Sequence, residues 1–173
     1  MLESITAPLW FSYAILALVG GQRLGELVIA QRNTQALMAR GAIETGASHY
    51  PFIVAVHGGW LVVLAAWIAL QAPAVNVPLL IVFVALQAAR VWVLWSLGPF
   101  WTTRVITLPG TPLVRRGPYR FLRHPNYIVV VLEIAVLPLV FGAGIIAAVF
   151  SALNAIVLFV RIRTENQALA PRR

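Results

Sequence analysis

Long uninterrupted apolar stretches constrain this chain more than any other feature of its sequence. Five of them lie at residues 7–29, 51–71, 77–97, 126–141 and 142–161. A helix needs about 20 consecutive apolar residues to cross the hydrocarbon core of a bilayer. The stretches are continuous rather than alternating, which excludes the pattern of an outer-membrane β-barrel. The sequence therefore predicts an all-α integral membrane protein with five transmembrane helices, forming a single domain over residues 1–173.

Composition supports the membrane class, because 61% of the residues are hydrophobic and only 10% are charged. A soluble domain is about 45–50% apolar and about 25% charged. There is no cysteine, so disulfides and thiolate chemistry are excluded. The segment before the first apolar stretch contains Glu3 and no arginine. That composition does not match a cleavable signal peptide, and we expect the first span to remain in the protein.

The arginines are distributed unevenly between the connections. Cytoplasmic loops of membrane proteins carry an excess of basic residues. The parity of five spans then predicts an inner-membrane protein with its N-terminus outside, its C-terminus in the cytosol and two long cytosolic loops. This orientation explains the net charge of +8 without a nucleic-acid partner. The basic residues in the two long loops and the tail are Arg32, Arg40, Arg104, Arg115, Arg116, Arg120, Arg123, Arg161, Arg163, Arg172 and Arg173.

Each apolar stretch also contains polar residues, and these fall at similar depths in the cytosolic half of the membrane when counted at about 1.5 Å per residue. A charged side chain inside a span costs about 2.5–3.5 kcal/mol on insertion scales. The charges must therefore pair or line a wet cavity, and we expect Glu133 to take its partner from Arg23, Arg90 or Arg123. Simple helix pairing is the alternative. The residues concerned are Gln22, Arg23, Glu26, His57, Gln87, Arg90, Glu133 and Asn154.

Residues 115–127 form the densest polar segment, at the beginning of the fourth apolar stretch. Its arginines can bind carboxylate or phosphate, and Pro125 suits the first turn of a helix, whose free N–H groups can bind an anion. These properties predict a soluble anionic or zwitterionic ligand beside a membrane-dissolved one, although an ordinary helix cap explains them equally well. The chain has no Asp, no Lys and no HExxH sequence, so no metal site is predicted.

Specific motifs in this segment are shared with a known family. Gly117-Pro118-Tyr119-Arg120, the block from Arg123 to Tyr127, and Arg161 with Glu165 together resemble the isoprenylcysteine carboxyl methyltransferase family. Upstream blocks, including residues 22–27 and 96–103, resemble its bacterial branch, which is associated with methylation of alkylpyrone-type lipids. Asn166 departs from the eukaryotic pattern, which has a second Glu there.

The resemblance implies S-adenosyl-L-methionine as cofactor, in a pocket at the cytosolic ends of the last two spans. The cofactor residues implied are Gly117, Pro118, Tyr119, Arg120, His124, Pro125, Tyr127 and Glu165.

The methyl acceptor is expected to be a lipophilic molecule from the bilayer, either an alkylpyrone-type hydroxyl or a prenylcysteine carboxylate. Such an oxygen is already largely anionic, so it needs orientation rather than a strong base. Arg90 or Arg123 is predicted to orient it, with Glu133 holding that arginine. Two other functions remain open: a nicotinamide-dependent membrane reductase of the same helical superfamily and a non-enzymatic transporter. No oligomeric state is predicted.

Overall fold

Five α-helices make up most of the part of the chain that the structure describes. The computed structural model describes residues 4–170, so Glu3, Arg172 and Arg173 lie outside the described residues. The predicted all-α class is confirmed. The helices are α1 (Leu9–Met38), α2 (Tyr50–Gln71), α3 (Val77–Leu97), α4 (Pro125–Val140) and α5 (Gly144–Leu169).

Four of these helices (α1, α2, α3 and α5) are long and apolar enough to cross a membrane. The remaining helix, α4, has 16 residues and is therefore about 24 Å long. That length is slightly less than the hydrocarbon thickness of about 30 Å. The chain is an all-α membrane protein, and a full crossing by α4 stays a prediction.

Two helices extend beyond the spans predicted for them. The first continues from the expected end at residue 29 to Met38, and the last continues from residue 161 to Leu169. Both extensions lack Gly and Pro and are rich in residues with good helix propensity. The polar final turns of α5 therefore carry Glu165 on the helix itself rather than on a tail.

Two short antiparallel sheets connect the loops at opposite ends of the bundle. Strand β1 (Ser4–Ile5) pairs with β3 (Val75–Asn76), next to the start of α3. Strand β2 (Ile43–Thr45) pairs with β4 (Val105–Thr107), joining the two long loops at the other end. The short and long connections thus lie at opposite ends, as the arginine distribution predicted.

The apolar core occupies the half of the bundle near β1 and β3. Ile134, Leu137 and Val140 of α4 are fully buried there, against Leu64 and Ile68 of α2. The polar residues of the spans lie in the other half, close to the long loops. This division leaves the functional groups together at one end of the molecule.

Candidate active site

A buried cluster of four charges joins three helices at the polar end of the core. Glu133 of α4 accepts hydrogen bonds from Arg23 Nη2 at 2.7 Å, Arg90 Nη1 at 3.0 Å and Gln87 Nε2 at 2.8 Å. Glu26 of α1 accepts two more from Arg90, at 2.5 Å each, through Nε and Nη2. Arg23 also lies 3.4 Å from Glu26. Two positive and two negative side chains make this ion cluster neutral overall.

The ion cluster confirms that Glu133 takes its partners from other helices. Of the three candidate arginines, Arg23 and Arg90 contact it, whereas Arg123 is exposed and lies in the loop before α4. Glu133 is 0% exposed and Arg90 is 5% exposed. Because these charges are removed from water, loss of either partner would leave an uncompensated buried charge and destabilise the packed helices.

The segment preceding α4 is held against the end of α3. Arg116 Nε donates a hydrogen bond to the carbonyl of Ser96 at 2.7 Å. Gly117, at φ +55°, begins a short 3-10 helix, and an added Cβ would collide with the Ser96 side chain. Pro118 is buried. Glycine is therefore required at position 117 both by its backbone conformation and by its surroundings.

The beginning of α4 is tied to the last turns of α5 by a polar network. Tyr127 donates its hydroxyl hydrogen to Glu165 and accepts one from Arg161 Nε at 2.9 Å. The His124 ring stacks on Tyr127, and its Nδ1 lies 3.5 Å from Glu165. Its Nε2 lies within hydrogen-bond distance of Asn166 Oδ1, at 3.2 Å. This network brings the two predicted motifs together in space.

A cavity of about 400 Å³, here called the first cavity, opens beside this network. Its size is within the range of about 300–1,000 Å³ typical of small-molecule sites. Burial raises the pKa of the Tyr119 phenol, and the Glu165 carboxylate raises it further, so Tyr119 stays protonated. The polar residues around the first cavity are Arg104, Arg115, Tyr119, Arg123, His124, Asn126, Tyr127, Arg161 and Glu165, together with Trp101 and Thr102.

Four of the predicted cofactor residues do not line the first cavity. Gly117 and Pro118 pack the segment against α3, and Pro125 begins α4. Arg120 lies over the ring of Phe121, at 5.7 Å from its centroid. The other four, Tyr119, His124, Tyr127 and Glu165, line the cavity.

A second cavity, of about 500 Å³, lies between α1, α2 and α5. Its wall is mainly apolar and includes Leu24 and Val62, which are 66% and 69% exposed on the outer surface. The cavity therefore reaches the surface that faces lipid. Its polar wall residues within the spans are Arg23, Glu26, His57, Arg90 and Asn154.

The two cavities share one wall. The residues that line both of them, here called the boundary residues, are Trp101, Thr102, Asn126, Tyr127 and Arg161. Arg90 lines only the second cavity and Arg123 only the first, so neither is a boundary residue.

Sequence reasoning did not assign a role to Asn126 or Arg161. The available signal for Arg161 was its position four residues before Glu165, which places both on one helix face once α5 is known to continue. Asn126 stood between two residues that were assigned to the cofactor, and nothing in the sequence distinguished it from a helix cap.

Comparison with known proteins gives a family match to the part of the chain that carries this geometry. A model of the Isoprenylcysteine carboxyl methyltransferase (ICMT) family matches residues 79–171, which include most of α3 and all of α4 and α5. The chain is 40% identical over 163 residues to "Uncharacterized protein YpbQ" of Bacillus subtilis (strain 168), covering 92% of this chain and 95% of the relative. It is 28% identical over 153 residues to an "Uncharacterized protein" of Haemophilus influenzae, covering 86% and 88%. No solved structure matches.

Proposed function

This chain belongs to the isoprenylcysteine carboxyl methyltransferase family and is a membrane methyltransferase, and from that premise we propose that it transfers a methyl group from S-adenosyl-L-methionine to an oxygen of a lipophilic acceptor. The acceptor class is an alkylpyrone-type lipid hydroxyl or a prenylcysteine carboxylate. The observation that carries this proposal is the shared wall between the two cavities. The first cavity is the more polar of the two and suits a soluble donor, whereas the second is mainly apolar and reaches the lipid-facing surface.

The residues around the first cavity fit the chemical groups of the cofactor. Glu165 supplies a carboxylate for the ribose hydroxyls or the amino group. Arg115 and Arg123 have no ionic or hydrogen-bond partner among residues 4–170, and they can bind the cofactor's carboxylate. Tyr119, His124 and Tyr127 add polar and aromatic surface. When bound, S-adenosyl-L-methionine supplies a methyl group activated by attachment to a positively charged sulfur.

The protein's contribution to the reaction is to position the two reactants. Arg90 lines the second cavity, but its Nε, Nη1 and Nη2 already donate to Glu26 and Glu133, so it positions the polar head of the acceptor chiefly by fixing the shape of that wall. Arg161 lies closer to the point of transfer, because it is a boundary residue. Its Nε donates to Tyr127, and its two terminal nitrogens have no partner among the described residues. They are therefore available to an anionic oxygen that reaches the boundary.

We further propose that the protein lies in the inner membrane with its C-terminus and first cavity on the cytosolic side, where a soluble cofactor has access. Because the chain has no cysteine, single cysteines can report this orientation. In intact spheroplasts, a membrane-impermeant maleimide should label Ala74→Cys directly but Arg40→Cys only after lysis; both positions are exposed. The reverse labelling pattern would contradict the orientation.

The experiment that tests the activity uses purified protein and methyl-labelled S-adenosyl-L-methionine with an alkylpyrone, a prenylcysteine and a phospholipid amine. We expect the label to move to the pyrone or the prenylcysteine. Binding of NADPH without S-adenosyl-L-methionine would favour the reductase, and transport into vesicles without methyl transfer would favour a transporter. The Arg163→Gln variant should transfer the label as the unmodified protein does, since Arg163 is exposed and lines neither cavity.

A further inference from the structure

Asn126 is distinctive among the boundary residues because its side-chain oxygen has no partner. It occupies the first turn of α4, and its Oδ1 is buried without a hydrogen-bond donor among the described residues. Two other boundary residues use their side chains internally: Thr102 donates to the carbonyl of Arg104 at 2.9 Å, and Tyr127 donates to Glu165. A buried oxygen without a donor is unfavourable, so a bound group is expected to provide electropositive hydrogens there.

The position of Asn126 restricts which part of a bound cofactor can provide hydrogens to its side-chain oxygen. Glu165, which suits the ribose or amino group, lines the first cavity only. The transferable methyl must instead reach the boundary, because the acceptor lies in the second cavity. The hydrogens of a methyl on a positively charged sulfur are polarised, and carbonyl oxygens accept weak hydrogen bonds from such C–H groups.

We propose that Asn126 Oδ1 holds the sulfonium methyl of the cofactor and aligns it with the boundary between the two cavities. This inference rests on the function proposed above. During transfer, a lone pair of the anionic acceptor oxygen bonds to the methyl carbon while the carbon–sulfur bond breaks and its electron pair stays on sulfur. The acceptor becomes neutral and the sulfonium becomes a neutral thioether, so the attraction to Asn126 is lost with the methyl group.

Two other boundary residues offer hydrogen-bond donors where Asn126 offers an acceptor. The terminal nitrogens of Arg161 and the buried Nε1 of Trp101, which also has no partner among the described residues, are hydrogen-bond donors. Donors suit an anionic acceptor oxygen, whereas the Asn126 oxygen suits a positive sulfonium. The boundary thus offers the two reactants two different kinds of group.

The test compares the binding of S-adenosyl-L-methionine with that of S-adenosylhomocysteine, which lacks both the methyl and the positive charge. Calorimetry on the full chain in lipid nanodiscs gives both Kd values for the wild type, Asn126→Leu and Asn126→Asp. We expect Asn126→Leu to weaken S-adenosyl-L-methionine binding by roughly fivefold while S-adenosylhomocysteine binding stays unchanged. Asn126→Asp keeps an oxygen at this position and should retain or increase the preference for the methylated form.

Other outcomes separate this inference from the proposed function. Equal weakening of both ligands by Asn126→Leu would mean that Asn126 is only part of the cavity wall, and would overturn the inference. If Asn126→Leu weakened the binding of neither ligand, Asn126 would not contact the cofactor, and the inference would be overturned as well. If the wild type bound neither ligand, the proposed function would fail, and this inference with it.

Discussion

The ion cluster and the boundary residues are both polar groups in an apolar surrounding, but they differ in how completely they are paired. In the ion cluster, all four carboxylate oxygens of Glu26 and Glu133 accept hydrogen bonds. At the boundary, Asn126 Oδ1 and Trp101 Nε1 are buried without partners among the described residues. Around the ion cluster only Gln87 Oε1 is buried without a partner among the described residues, so its charged groups are used to hold the helices together, whereas the unpaired atoms at the boundary retain capacity to bind.

The same comparison changes how Arg90 is understood. From the sequence, Arg90 was a candidate to orient the acceptor, with Glu133 holding it. In the structure, its Nε, Nη1 and Nη2 all donate to carboxylates. Its main role is therefore to hold α1, α3 and α4 together. It influences an acceptor only indirectly, by fixing the shape of the second cavity.

Removing Arg90 should have the largest effect. Arg90→Ala leaves Glu26 and Glu133 with Arg23 as their shared cation, and breaking a buried pair in this way costs about 3–5 kcal/mol. We expect loss of folded protein, measured as the thermal unfolding midpoint and the monodisperse yield in detergent. A stable Arg90→Ala protein with normal cofactor affinity and no turnover would instead identify Arg90 as the group that orients the acceptor. Arg163→Ala on the exposed face of α5 is the control.

The next largest effect should come from the first cavity, beside the boundary residue Tyr127. Glu165→Gln removes a charge that contacts Tyr127 and lies near His124, while keeping the shape of the side chain. Hydrogen bonds to charged groups are worth about 1.5–3 kcal/mol, so the Kd for S-adenosyl-L-methionine should rise about 10- to 150-fold. Calorimetry checks the Kd, and an unchanged Kd would remove Glu165 from the cofactor site.

A smaller effect should follow from Gly117→Ala, which tests whether the segment beside the first cavity depends on steric fit. A left-handed backbone costs a non-glycine residue about 1–2 kcal/mol, and the new Cβ would also meet Ser96. We expect a lower unfolding midpoint and weaker cofactor binding. Gly144→Ala is the matched control, because no atom lies within 4 Å of its added Cβ and its φ is not positive. Equal behaviour of the two variants would contradict the requirement for glycine at 117.

The smallest effect is expected for the ion pair between the two long loops. Glu44 accepts from Arg104 at 3.0 Å, but the side chains are 22% and 46% exposed. Exposed pairs contribute about 0–1 kcal/mol. Glu44→Gln should therefore change the unfolding midpoint little and only at low ionic strength. If Glu44→Gln lowered the unfolding midpoint as much as Arg90→Ala does, burial would not explain the difference in stability between the exposed and the buried ion pairs.

Much of the site was predictable because its motifs are short and local. The His124–Tyr127 block and Glu165 were expected to share a pocket, and the structure places them in direct contact. The length of α5 was underestimated because the apolar stretch ends near residue 161, whereas backbone hydrogen bonding continues through the polar turns that follow. Hydropathy reports where lipid contact ends, and it does not report where the helix ends.

The sequence by itself determined the membrane class, the helical fold and the need for Glu133 to find a cation on another helix. These follow from transfer free energies, which add up along the chain and need no knowledge of packing. The tertiary structure alone decided that Arg23 and Arg90 are the cations, and that Asn126 and Arg161 stand where two cavities meet. Those results depend on which faces of α1, α3, α4 and α5 turn toward one another, and that rotation is set by the packing of side chains from distant parts of the chain.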